Sequence, residues 1–175
     1  MTALGERAQV TVRAYRPTDH QAARRLWAEL AEEQERQYPG SPAVGGDAGA
    51  GIEEYLARID LSGVWVAEGP GGDVLGLAGL VLHERGGEVW PVVVTAPARG
   101  AGIGAALARQ VAEAARGRGM TSLTVSPAAR NVAALRCLHA AGFDALAALE
   151  LVMDLGSGRP DRRDGVRVHD LMLRI

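Results

Sequence analysis

Lysine is absent from this chain of 175 residues, and all 19 of its basic residues are arginine. Without a lysine, the chain cannot form the phosphate-binding loop that ends in Gly-Lys-Ser/Thr. The single cysteine, Cys137, excludes an internal disulfide and fits a reducing compartment, so we expect a cytoplasmic protein. The histidines have no second ligand three or four residues away, which indicates no metal site.

The chain also lacks long apolar runs and a strong excess of charge. No run approaches the roughly 18 apolar residues that span a bilayer, so no membrane segment is expected. A net charge of −2 and a pI near 6.1 argue against a general nucleic-acid binder. The length suits a single domain over residues 1–175, with residues 1–8 as a flexible tail rather than a secretory signal.

The most informative stretch is residues 99–105, which we call the glycine loop. It contains Gly100, Gly102 and Gly104, follows an apolar run at residues 89–94, and precedes apolar residues at helical spacing. The first N–H groups of a helix have no partner within the helix, and the helix dipole is positive at that end. A strand, a glycine turn and a helix start therefore predict a site for a pyrophosphate.

Three glycines at this spacing leave alternatives open. Gly100, Gly102 and Ala105 also fit the dinucleotide fingerprint, which needs an acidic residue roughly 20 positions further on. Residues 120–130 contain no Asp or Glu, so the dinucleotide interpretation is disfavoured. A glycine turn that binds no ligand is the remaining alternative.

Two motifs at this separation resemble the GNAT N-acetyltransferase superfamily. Its coenzyme A motif, Arg/Gln-x-x-Gly-x-Gly/Ala, is matched by Arg99, Gly102 and Gly104. A second pattern, Asn-x-x-Ala-x-x-x-Tyr-x-x-x-Gly-Phe, is matched at four positions, namely Asn131, Ala134, Gly142 and Phe143. Leu138 occupies the tyrosine position. The resemblance covers about residues 10–155.

The resemblance implies an α/β fold with a mixed, mostly antiparallel central sheet. A parallel pair is splayed at the cofactor strand, and helices flank the sheet. The residue patterns predict strands over 9–15, 64–68, 74–83, 88–94 and 123–125, and helices over 19–37, 52–59, 100–116 and 131–141. They also predict a closing antiparallel pair, residues 146–155 with 166–173, across a polar turn at 156–165.

The resemblance further implies an enzyme that moves an acetyl group from acetyl-CoA to an amine. Direct attack in a ternary complex is expected, because Cys137 does not lie on the active face of the motif. No metal is expected. The implied cofactor-binding residues lie on the central strand, in the glycine loop and at one helix start: Val92, Val93, Val94, Arg99, Gly100, Ala101, Gly102, Ile103, Gly104, Ala105 and Asn131.

Glu88 is the candidate catalytic base. It lies eleven residues before Arg99, where histone-acetylating relatives carry a catalytic glutamate, and a carboxylate beside an apolar cleft can accept a proton. A solvated residue at a strand start is the alternative. Leu138 cannot protonate the leaving thiolate, which leaves His139 or solvent. A coenzyme A-binding regulatory domain with weak or no catalysis is therefore the rival function.

The acidic residues of one segment suggest which kind of acceptor the protein binds. Residues 29–60 hold eight acidic residues and two arginines, and in the family the first two helices wall the acceptor site. This predicts a small-molecule or peptide amine, with a cationic acceptor favoured by the acidic wall. A solvated helix face is the alternative, and a homodimer stays open. Trp27, Trp65 and Trp90 are expected in the core.

Overall fold

The structure is a computed structural model that describes residues 10–37, 47–84, 86–153 and 165–175. The tail expected at residues 1–8 lies outside the described residues. The strands are β1 Thr11–Ala14, β2 Val64–Glu68, β3 Val74–His83, β4 Gly86–Val94, β5 Leu123–Thr124, β6 Gly165–Val168 and β7 Leu171–Arg174. The helices are α1 His20–Gln37, α2 Gly51–Arg58, α3 Ile103–Gly117 and α4 Val132–Ala141.

The central sheet has five strands in the order β1-β2-β3-β4-β5. Neighbouring strands are antiparallel except for β4 and β5, which run parallel. The 15-residue helix α3 connects that parallel pair, as a parallel connection requires a crossover. This confirms the predicted mixed sheet, mostly antiparallel with one parallel pair and flanking helices.

Each face of the sheet carries its own apolar core. On one face, Leu80 and Val89 pack with Leu107 and Val111 of α3. On the other face, Leu77 and Val93 pack with Leu26 of α1 and with α2 residues. Alternating side chains of β3 and β4 point to opposite faces, so both cores meet at these two strands. We call the two sides the α3 face and the α1/α2 face.

Strand β4 contains a bulge at its centre. Ala78 pairs with Val92 and Leu80 pairs with Val89, so two residues, Trp90 and Pro91, lie opposite the single residue Gly79. A proline has no N–H for a ladder, and bulges are where a strand accommodates one. The bulge therefore explains how Pro91 fits within a central strand.

Two of the predicted boundaries are wrong. The predicted pairing of residues 146–155 with 166–173 is wrong, because residues 146–153 form no strand and β6 instead pairs with β7 in a separate two-stranded sheet, joined through His169 and Asp170. Residues 154–164, which include most of the predicted polar turn, lie outside the described residues. The chain reverses direction at His169, whose φ of 54° lies in the left-handed region. The turn between β6 and β7 contains no glycine or proline that would have predicted it. Helix α3 begins at Ile103 rather than at residue 100, because Gly100 and Gly102 have φ of 80° and 83°.

The described part of the chain contains no helix long and apolar enough to cross a membrane.

Candidate functional site

The parallel pair β4–β5 separates soon after it forms. Its ladder joins Gly87 to Leu123 and Glu88 to Thr124, and among the described residues it extends no further. Beyond that point β4 stays paired with β3 on one edge, up to Val94 opposite Gly76. The other edge of β4, along Val92, Val93 and Val94, therefore lies past the end of the β5 ladder, where an extended ligand can pair with it.

The glycine loop lies at the end of that edge. Strand β4 ends at Val94, a short 3₁₀ turn covers Ala96–Ala98, and Gly102 is the N-cap of α3. A Cβ built on Gly100 or Gly102 would have no atom within 4 Å, so these two glycines face open space. The N–H groups of Ile103, Gly104 and Ala105 open the helix and have no partner within it.

Gly104 serves a different purpose from the other two glycines. A Cβ there would lie 2.8 Å from the Sγ of Cys137, so the glycine lets α4 pack against the first turn of α3. Burial raises the pKa of the Cys137 thiol, which keeps it protonated. A half-buried, protonated thiol is a poor nucleophile, in keeping with direct attack rather than an acyl-enzyme.

The side chain of Arg99 is held against α1. Its Nε donates to the carbonyl oxygen of Val94 at 2.9 Å, and Nη1 lies 3.3 Å from Oε2 of Glu33. Glu29, one turn earlier on α1, accepts from the Thr95 hydroxyl at 2.7 Å and from the Ala96 N–H at 2.8 Å. Two carboxylates of α1 thus fix the turn between β4 and the glycine loop.

Glu88 lies on the α1/α2 face, on the first part of β4. It pairs with Val81, which packs against the core on that face, and paired residues point the same way. Its Oε2 lies 3.2 Å from Nε2 of His83, at the end of β3. The Glu88 side chain is 27% exposed and that of His83 is 54% exposed, so the pair connects a half-buried carboxylate to solvent.

Three aromatic rings meet beside Glu88, and we call them the aromatic corner: Trp27 of α1, Tyr55 of α2 and Trp90 of β4. Their centroids are 5.1 to 5.3 Å apart. The Tyr55 hydroxyl donates to the carbonyl oxygen of Trp90 at 2.9 Å. Burial raises the pKa of Tyr55, so the phenol stays a donor at physiological pH.

Two glycines make room for the aromatic corner. A Cβ on Gly79 would collide with the Tyr55 hydroxyl and lie 2.8 Å from the Trp90 oxygen. A Cβ on Gly51 would collide with the indole nitrogen of Trp27. The expectation that all three tryptophans are core residues holds for Trp65, at 7% exposed, but is wrong for Trp90, at 39%.

The acidic residues of segment 29–60 are largely neutralised. Ion pairs or hydrogen bonds are made by Glu29, Glu33, Asp47, Glu53, Glu54 and Asp60. Arg24, Arg99 and Arg118, which lie outside the segment, supply several of the partners. The formal charge of the segment therefore overstates its attraction for a cation, and the solvated-face alternative gains support.

Helix α4 places the second motif. The Oδ1 of Asn131 accepts from the Ala134 N–H at 3.0 Å, so this side chain caps the helix. Leu138 is buried at 6% exposed, whereas His139 is exposed. The position of the family tyrosine is thus buried, whereas the candidate donor His139 is open to solvent. The roles predicted for Asn131 and the glycine loop toward a cofactor stay predictions.

No three His, Cys, Asp or Glu side chains among the described residues are grouped as metal ligands would be. The contact between Glu88 and His83 is a candidate functional pair that the sequence analysis did not predict. The two residues are five positions apart and contact each other only because β3 and β4 form a hairpin.

Comparison with known proteins gives a family from the sequence profile and a shared fold from solved structures. The sequence profile of the acetyltransferase (GNAT) family matches residues 19–143. A putative acetyltransferase from Pyrococcus furiosus has a similar structure, with a TM-score of 0.61 and 20% identity, covering 83% of this chain and all of the other. No curated protein sequence matches the chain significantly.

Two further structures share the fold in complex with ligands. The putative acetyltransferase yncA from Salmonella typhimurium, solved with acetyl-CoA, has a TM-score of 0.61 and 23% identity over 79% of this chain and 81% of its own. AAC(6')-Iy, solved with a bisubstrate analogue of coenzyme A and acetylneamine, has a TM-score of 0.59 and 16% identity over 84% and 99%. With the profile match over most of its length, this chain belongs to the acetyltransferase (GNAT) family.

Proposed function

We propose that this protein acetylates the nitrogen of an amine, using acetyl-CoA as the donor. The observation that carries the proposal is the continuity of one path on the chain. The edge of β4 beyond the β5 ladder leads directly to the glycine loop and the N-terminus of α3. An extended pantetheine arm suits the first part, and a pyrophosphate suits the second.

The residues present fit that ligand. Gly100 and Gly102 face open space, so the backbone N–H groups of the loop can approach a phosphate closely. Val92, Val93 and Val94 offer main-chain groups along the strand edge, where an N–H can also stabilise the thioester oxygen during attack. The Asn131 side chain caps α4, so we assign it the task of holding that helix against the coenzyme site.

On the α1/α2 face, Glu88 takes the proton of the amine. The nitrogen attacks the thioester carbonyl carbon, the C–S bond breaks, and coenzyme A leaves as the thiolate. His83, 3.2 Å from the Glu88 carboxylate and more exposed, provides the route by which that proton reaches solvent. Because the Cys137 thiol is half-buried and packs against Gly104, we assign no acyl-enzyme step.

The experiment has two parts. Calorimetry with acetyl-CoA, coenzyme A and NAD should show binding of the first two ligands only. Thiol release from acetyl-CoA should then depend on an added amine, tested with 2-phenylethylamine, spermidine, kanamycin and a lysine peptide. Binding of acetyl-CoA without amine-dependent release would instead identify a coenzyme A-binding regulatory domain.

A further inference from the structure

The aromatic corner is more than a packing cluster, because one of its members remains open to solvent. Tyr55 is 7% exposed, whereas Trp90 keeps 39% of its surface accessible. The ring of Trp90 meets Trp27 at 89° and Tyr55 at 72°, so both contacts are edge-on. A large aromatic side chain that is held in place yet exposed is typical of a binding surface.

The position of Trp90 is fixed at several points. The Tyr55 hydroxyl holds its carbonyl oxygen at 2.9 Å, and Gly79 opposite the bulge leaves space for that contact. The bulge itself sets the backbone at Trp90. A ring held in this way loses little further conformational entropy when a ligand stacks on it.

Trp90 and Glu88 point to the same face of β4, two residues apart. Two residues of strand span about 7 Å, so a group over the indole and a nitrogen at the carboxylate are separated by a few bonds. The nitrogen must lose its proton before it attacks, and Glu88 takes that proton. The indole is then left to contact the carbon skeleton that carries the amine.

We propose that the acceptor is an amine with a flat, apolar or aromatic group a few bonds from its nitrogen, and that this group stacks on Trp90. The proposal rests on the proposed function, since it names the acceptor class for the same site. Most of the acidic residues around the site already have arginine or hydrogen-bonding partners. A highly charged polyamine therefore has fewer carboxylates to contact than the sequence suggests.

The test compares 2-phenylethylamine with propylamine, which lacks the ring. Binding is measured by calorimetry on the complex with coenzyme A, and turnover is measured separately with acetyl-CoA. Trp90→Leu keeps an apolar side chain but removes the flat surface, and Trp90→Phe keeps a ring. We expect Trp90→Leu to weaken 2-phenylethylamine at least about tenfold and propylamine less than about twofold. Trp90→Phe should restore affinity to within about threefold.

Other outcomes overturn the proposal. These are equal losses for both amines, no binding of 2-phenylethylamine to the native protein, or tighter binding of spermidine than of 2-phenylethylamine. A loss of acetyl-CoA affinity in Trp90→Leu would place the ring at the cofactor instead. If 2-phenylethylamine binds through Trp90 and no amine is acetylated, the proposed function fails while the binding surface stands. Circular dichroism and urea denaturation verify that each variant is folded.

Discussion

The aromatic corner lies at the bulge of β4, whereas the glycine loop follows the end of that strand. The two regions are built in opposite ways. The loop is seven consecutive residues whose useful groups are backbone N–H groups and open space. The corner joins side chains from α1, α2 and β4 that are far apart in the chain. A site made of main chain tolerates most side-chain changes, whereas a site made of packed side chains depends on each partner.

The largest effect is expected at Asp19, which ties α1 to β1 and so supports the corner. Asp19 is 6% exposed and accepts from Arg13 at 2.7 and 2.9 Å and from the Arg16 N–H at 2.8 Å. Asp19→Asn should lower the free energy of unfolding by about 3 kcal/mol at neutral pH, measured by urea denaturation.

The pH dependence of that effect has a definite sign. Hydrogen bonds from Arg13, with support from Arg16, lower the pKa of Asp19 in the folded state. The stabilisation is therefore present above the unfolded value of about 3.9 and is lost as the pH falls through the lower folded pKa. Glu68→Gln is the control, because Glu68 binds the same Arg13 but is 33% exposed, and about 1 kcal/mol or less is expected. Equal losses in the two variants would contradict the prediction.

Glu88→Gln, a change on the same face as the aromatic corner, should affect catalysis but not the binding that we assign to the glycine loop. It should lower kcat by about a hundredfold, because the amide cannot take the amine proton, while acetyl-CoA affinity stays within about twofold. Steady-state kinetics and calorimetry measure the two quantities. Glu84→Gln, an exposed acid just beyond β3, should leave both unchanged. An unchanged kcat in Glu88→Gln would assign Glu88 to the solvated strand start.

Gly102 allows the loop to be tested with a matched pair. Gly102→Asn and Gly102→Asp add side chains of equal size at a φ of 83°, but only Asp adds charge. We expect Asp to weaken acetyl-CoA at least about tenfold, or about 1.4 kcal/mol, and Asn much less.

The free energy of unfolding should rank the two variants in the opposite order from their acetyl-CoA affinity. A negative charge at a helix N-terminus is favourable, so Gly102→Asp should be at least as stable as Gly102→Asn. The difference in affinity should also shrink in high salt. Equal acetyl-CoA affinities for the two variants would contradict the assignment of the pyrophosphate to this loop.

The smallest effect is expected from Tyr55→Phe, which deletes one hydroxyl from the corner. The Trp90 carbonyl oxygen loses its donor at 2.9 Å, and about 1 kcal/mol of stability should be lost. Urea denaturation measures that loss. Acetyl-CoA affinity, which we assign to the loop, should not change, and a change would show that the two regions are coupled.

The same contrast explains what could be predicted from sequence. The loop is local, so Arg99 with its three glycines indicated a strand, a turn and a helix start, and the structure has all three. The mixed sheet was implied by the resemblance to the GNAT family, and the predicted strands and helices of residues 9–141 fell within a few residues of their observed bounds. The His169 reversal was not, since nothing in Val-His-Asp-Leu marks a turn.

Contacts between distant elements lay beyond sequence reasoning. His83 and Glu88 meet only through the β3–β4 pairing, and Trp90 contacts Trp27 and Tyr55 only because α1 and α2 pack beside β4. The acidic segment was misleading for the same physical reason. Composition counts charges, but only the fold shows that Arg24, Arg99 and Arg118 approach them.

The ion pairs of this protein have one more consequence. Because the sequence contains no lysine, arginine replaces it in all of the ion pairs that either residue could form with a carboxylate. A lysine ammonium loses its charge and its salt bridge when it is acetylated. A protein that holds an activated acetyl thioester would expose such lysines to its own reagent. With arginine at Arg13, Arg24 and Arg99, these ion pairs contain no amine that an acetyl thioester could modify.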